Sequence, residues 1–166
     1  VTVVLDANAL VALIASEPNG PAVSELIERW TVEERELHAP VLARYEIANV
    51  LARQHAVGRL SKEDVKSGWQ ALEELPITYH ALIDGPAVID LAATLGRRSA
   101  FDASYVALAR ALDAELWTLD GPLARNAAGQ KLPVRLIDRD DREAQGSVPP
   151  DAPAGEPPDQ ERSQPT

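Results

Sequence analysis

Cysteine is absent from all 166 residues. That excludes disulfides and thiolate metal sites and fits a reducing, cytoplasmic setting. Methionine is absent too. No apolar run is long enough for a bilayer: ALVALIA (9–15) falls far short of the ~20 residues a spanning helix needs. The N-terminal residues as written carry no basic stretch ahead of an apolar one, so neither a signal peptide nor a membrane partner is expected. Positive charge is also scarce. The formal net charge is −10. Residues 142–166 set Arg142 and Arg162 against Glu143, Asp151, Glu156, Asp159 and Glu161, a balance of −3, which leaves −7 on residues 1–141. General nucleic-acid binders are basic because phosphate neutralisation supplies most of their nonspecific affinity. Any nucleic-acid chemistry here must therefore rest on a local basic patch, a metal ion or a partner chain.

Several familiar site patterns are missing as well. There is no G-x-S-x-G, no P-loop and no G-x-G-x-x-G. His38, His55 and His80 lack ligand spacing such as H-x-x-x-H and read as surface or packing residues. Trp30, Trp69 and Trp117 lie in helical or strand patterns and read as core rather than as base-stacking platforms.

What is present is a regular alternation. TVVL (2–5), LHA (37–39), the start of ITYHALI (77–83), ELWTL (115–119) and VRLI (134–137) read as strands. Helical patterns lie between them: to about Ala15, over AVSELIERW after the Asn19-Gly20-Pro21 turn, over 41–58 with a Gly58 stop, from a capping box at Ser61 and Asp64 to about Leu75, over 86–96, over 101–112, and in DGPLARNAA. Strands separated by helices predict an α/β fold, a parallel sheet with helices on both faces. Composition changes near residue 142. The last 21 residues hold six of the 13 prolines and almost no large apolar side chain. The expected organisation is one domain over 1–141 and a disordered, acidic, proline-rich tail over 142–166.

The acids then need an explanation. VVLDANAL (3–10) runs a carboxylate, Asp6, straight out of a buried strand. Alone, Asp6 reads as a helix cap, Asp120 as part of an Asp-Gly-Pro turn, and Asp102 as a partner of a helix dipole. Glu46 stands mid-helix between Tyr45 and Ile47, on one stripe with Asn49 and Arg53. Ligands of open parallel sheets bind beyond the carboxyl ends of the strands, where strand order reverses. Asp6 and Asp120 both close strands, and Asp102 opens the helix that feeds the second of them. Four carboxylates at one edge would repel and raise one another's pKa. A hard divalent cation, Mg²⁺ or Mn²⁺, removes that conflict and can activate water toward a phosphoryl group.

Three stretches in order, VVLDANALVALI, YEIANVLARQHAVGRLS and SAFDASYVALARALDAELWTLDGPLA, resemble the PIN domain, and within it the toxin ribonucleases of the VapBC toxin–antitoxin type. The resemblance spans about residues 2–138. It implies a PIN-like three-layer fold with strand order 3-2-1-4-5 and an Mg²⁺- or Mn²⁺-dependent endoribonuclease that leaves 5′-phosphate and 3′-hydroxyl ends. It implies Asp6, Glu46, Asp102 and Asp120 as catalytic and metal-binding residues. It further implies a homodimer and a cognate antitoxin whose C-terminal segment blocks the acidic groove. The family's first motif usually carries Thr or Ser after the Asp and often Ser two places on; here Ala7 and Asn8 stand there. Asn8 is kept as a supporting residue, and Thr118 matches the family's Thr two places before the last acid. Arg97 and Arg98, with Arg44 and Arg125, are the candidates for holding an RNA backbone, each weighed against a plain surface charge.

Three other classes bear comparison. A phosphatase of the haloacid dehalogenase type also places Asp after its first strand, but needs a second Asp where Asn8 stands. A receiver domain would need acids that are not visible. A non-catalytic module could retain the fold without the chemistry.

Overall fold

A computed structural model describes residues 2–82 and 84–138. The expected boundary at 141/142 and the tail lie outside the described residues. Five strands, β1 (Thr2–Leu5), β2 (Glu36–Pro40), β3 (Ile77–His80), β4 (Glu115–Thr118) and β5 (Val134–Leu136), form one sheet in the order β3-β2-β1-β4-β5. Every neighbouring pair is parallel. The seven helices among the described residues are α1 (Ala7–Ile14), α2 (Gly20–Val32), α3 (Leu42–Ala56), α4 (Lys62–Glu74), α5 (Gly85–Thr94), α6 (Phe101–Ala111) and α7 (Gly121–Gly129).

The order reverses at β1. With right-handed crossovers, the chain moving from β1 to β3 lays α1–α4 on one face, and the chain returning through β4 to β5 lays α5–α7 on the other. Packing agrees: α1 is packed by α2, α3 and α4, whereas α6 lies against β1, β2 and β4 beside α5. Val3, Val4 and Leu5 are sealed between the two layers, which is why the first strand is an unbroken apolar run. Two glycines set how close the first layer comes. A Cβ at Gly20 would stand 2.6 Å from the Ala12 carbonyl oxygen, and one at Gly68 2.9 Å from that of Ile14. Trp30 on α2 and Trp117 on β4 meet edge to face at 5.2 Å and fill the core as expected.

Local chemistry marks the helix starts. Ser61 and Asp64 form both halves of the expected capping box. Asp84 caps α5 through the Ala87 amide at 3.1 Å. Two of the histidines take the packing role expected of them. The β2–β3 pairing brings His38 and His80 together, ring nitrogen to ring nitrogen at 2.8 Å, although 42 residues separate them. No helix among the described residues is long and apolar enough to cross a membrane.

Candidate active site

The carboxyl edge of β1 and β4 carries the centre of the site. Asp6 occupies the N-cap position of α1 but makes no capping hydrogen bond. Its Oδ2 instead accepts the Thr118 hydroxyl at 2.5 Å. The cap reading therefore fails at Asp6: the side chain is turned across the sheet, toward β4. Thr118 is fully buried at the end of β4, and its oxygen also accepts from the Asp120 amide at 2.9 Å and from Asn8 Nδ2 at 3.1 Å. Asn8 Oδ1 accepts from the Leu119 amide at 3.0 Å. Asn8 and Thr118 thus latch the β1–α1 junction to the β4–α7 junction, and every polar atom of the latch has a partner.

Asp120 divides its two oxygens between a helix and an arginine. Its Oδ1 caps α7 through the Leu123 amide at 2.8 Å, while Oδ2 stands 3.5 Å from Arg97 Nη2. Asp102 is the second residue of α6, where the helix dipole favours a negative charge, and its Oδ2 lies 3.0 Å from Arg97 Nε. Glu46 leans off α3 and accepts the phenol hydrogen of Tyr105, a residue of α6 that is itself buried. Sequence reasoning missed Tyr105. Its signal was the Asp102-x-x-Tyr105 spacing, which puts acid and phenol on one face of α6.

Asp6, Glu46 and Asp102 each feel a neighbouring acid. Burial, with Glu46 and Asp102 nearby, pushes Asp6 up to about 6 against the opposing Thr118 hydrogen bond. Burial raises Glu46, with Asp102 adding to it and Tyr105 opposing. Burial also raises Asp102, with Asp120 adding and Arg97 opposing. Burial and the bond to Glu46 hold the Tyr105 phenol far above the normal range, so it stays a donor. An all-oxygen, carboxylate-rich edge of this kind suits a hard divalent cation. The need for positive charge is visible in Arg97, which sits against two of the four acids. Among the described residues no three acids or imidazoles are drawn together as a closed ligand set.

The other arginines separate by environment. Arg44 lies over the rings of Trp69 and Tyr79, at 5.3 and 5.1 Å, and pairs with Glu73 at 2.5 Å. Arg98 and Arg125 are exposed. Arg125 curls back over the start of α7, where a Cβ on Gly121 would meet its Nη1 at 3.1 Å. Asn49 and Arg53, the stripe companions of Glu46, are exposed.

The PIN domain family model matches residues 3–129. Ribonuclease VapC3 of Pyrobaculum aerophilum is 37% identical over 126 residues, covering 73% of this chain and 91% of that protein. Ribonuclease VapC9 of Mycobacterium tuberculosis is 32% identical over 138 residues, covering 82% and 99%. The structure of VapBC2 from Rickettsia felis, bound to a DNA fragment from their promoter, superposes with a TM-score of 0.64 at 14% identity, over 83% of this chain and all of that one. That likeness concerns the fold.

Proposed function

The chain belongs to the PIN-domain family, and from that premise we propose that it is a divalent-metal-dependent endoribonuclease, the toxin half of a type II toxin–antitoxin pair. What supports this reading most is that Asp6 and Asp120 follow the ends of β1 and β4, where strand order reverses, with Glu46 and Asp102 near enough to raise Asp6 and with Asp6 and Glu46 held by Thr118 and Tyr105. The alternative phosphatase reading has no support here: position 8 is an amide, and both ends of it are used in the latch.

Asp6, Glu46, Asp102 and Asp120 would hold Mg²⁺ or Mn²⁺. Bound there, such a cation would polarise the phosphoryl group and lower the pKa of water. The chain's own residues do the positioning. Thr118 fixes the Asp6 carboxylate, Tyr105 fixes that of Glu46, and the Leu123 amide fixes one oxygen of Asp120. Arg98, between α5 and α6, and Arg125, on α7, are exposed and are the candidates for the RNA backbone; Arg44 is engaged elsewhere.

The missing cysteines fit the cytoplasmic setting proposed for it. The named relatives and the VapBC2 structure favour a cognate antitoxin, and a basic segment would complement the acidic edge. A homodimer has its own support. Val41, Tyr45, Leu82, Ile89 and Phe101 are exposed apolar side chains around a groove of about 710 Å³ bounded by α3, α5 and α6.

The test is cleavage of a pool of structured and single-stranded RNAs by the antitoxin-free protein in Mg²⁺, Mn²⁺ and EDTA, with Asp102→Asn as a further arm. Cleavage lost in both EDTA and the variant supports the reading. A folded protein that neither cleaves nor binds Mn²⁺ would return it to a non-catalytic module, and phosphate transfer onto Asp6 would make it a phosphatase.

A further inference from the structure

The backbone that delivers Arg97 is fixed before its side chain meets anything. Helix α5 ends in a left-handed turn: Gly96 has φ +64, a conformation a side chain would strain. The Gly96 amide donates to Ala93 O at 3.0 Å and the Arg97 amide to Ala92 O at 2.9 Å. These two bonds are the Schellman pattern, with Gly96 just past the helix and Arg97 next. Arg98, one residue on, is exposed, while Arg97 is turned inward. Its Nε stands 3.0 Å from Asp102 and its Nη2 3.5 Å from Asp120. Both nitrogens are shut off from solvent, yet neither makes an aligned hydrogen bond. Charge, rather than a bidentate fork, holds the guanidinium in place.

We propose that Arg97 is a resident counter-ion of the acid site, spanning Asp102 and Asp120 in the metal-free protein, and that a divalent cation must displace it to draw the carboxylates together. The inference rests on the reading of these acids as a metal site. A single positive charge between two partly buried carboxylates relieves part of their repulsion without satisfying their oxygens. A divalent ion does both, so metal and arginine compete for the same two side chains. Arg97 therefore opposes metal binding, unlike an ordinary supporting residue.

The experiment is Mn²⁺ titration by calorimetry of the full chain, with Arg97→Gln and Arg98→Gln. Arg98→Gln removes the same charge one residue away. The expected result is roughly tenfold tighter Mn²⁺ binding by Arg97→Gln and little change in Arg98→Gln. In EDTA the Arg97→Gln protein should melt lower than wild type, and saturating Mn²⁺ should raise its melting temperature by more. Equal effects of the two variants, or weaker binding by Arg97→Gln, would overturn the proposal. Absence of Mn²⁺ binding by both wild type and Arg97→Gln, with both folded, would be a different signature: the metal-site reading itself would fall, and this inference with it. Should Arg97→Gln not fold, the wild-type chain with labelled arginine gives the same answer by NMR. The sheltered Arg97 Nε–H signal should move to a solvent-exchanging position on Mg²⁺ saturation, and a signal that stays put would refute displacement.

Discussion

Thr118 donates its hydroxyl hydrogen to Asp6 Oδ2 at 2.5 Å, across 112 residues of sequence and two adjacent strands. The bond explains why an aspartate at a helix start caps nothing. It also makes one buried hydroxyl responsible for the aim of the first acid. Thr118→Val keeps the shape and removes the oxygen. The Asp120 amide and the Asn8 amide group then lose their acceptor. Unsatisfied buried groups of this kind cost about 1–3 kcal/mol, to be read from urea unfolding. Mn²⁺ affinity should fall as well. A destabilised variant with unchanged Mn²⁺ affinity would confine Thr118 to a structural role.

The raised pKa of Asp6 gives a pH dependence of unusual sign. Its folded value is about 6 against an ordinary aspartate value of 3.8. Between about pH 4 and pH 6 the folded chain therefore holds a proton that the unfolded chain releases. Stability contributed by this group falls as pH rises through that window and is flat above it, by about 3 kcal/mol in all. Salt-bridged carboxylates behave in the opposite way. Unfolding of the metal-free protein in EDTA at pH 5 and pH 7.5, compared with Asp6→Asn, isolates the effect. The difference between the two proteins should shift in favour of wild type at pH 5. Mn²⁺ binding should weaken over the same acid range, since the ligand must be ionised to bind.

The strand and helix pattern was legible because each element carried its own local signal: the β-branched run of β1, the Ser61–Asp64 box, the proline starts of α2, α5 and α7. The four acids were legible as strand ends and helix positions. What joins them was not. The Thr118–Asp6 bond, the Tyr105–Glu46 bond and the His38–His80 pair each link residues at least 42 positions apart, and no local periodicity encodes such contacts. The direction of an arginine was equally hidden. Arg97 and Arg98 are identical in sequence terms, and only the Gly96 turn sends one inward and leaves the other in solvent.

Tyr105 holds Glu46 from the neighbouring helix. Tyr105→Phe removes one hydroxyl from a packed site and should cost about 1 kcal/mol of stability. Its larger effect should fall on turnover. Glu46 loses the donor that fixes its carboxylate, so kcat on RNA should drop while KM changes little, because the phenol is buried away from any substrate. A rise in KM with constant kcat would contradict this assignment.

The arginines can be sorted by the same logic. Arg44 is stacked on Trp69 and Tyr79 and paired with Glu73, so it ties the start of α3 to α4 and β3. Arg44→Gln should lower stability by about 1 kcal/mol, the size of a partly exposed cation–π contact with a partly exposed ion pair. It should leave the KM for RNA unchanged. Arg98→Gln and Arg125→Gln should do the reverse, since both side chains are exposed and phosphate contacts add affinity without holding the fold. Each should raise KM and flatten its salt dependence with the melting temperature constant. Steady-state kinetics at two ionic strengths, run beside thermal unfolding, separates the two groups. An Arg44→Gln protein with wild-type stability and a raised KM would move the RNA path from the α5–α6 and α7 side of the site to the α3–α4 side.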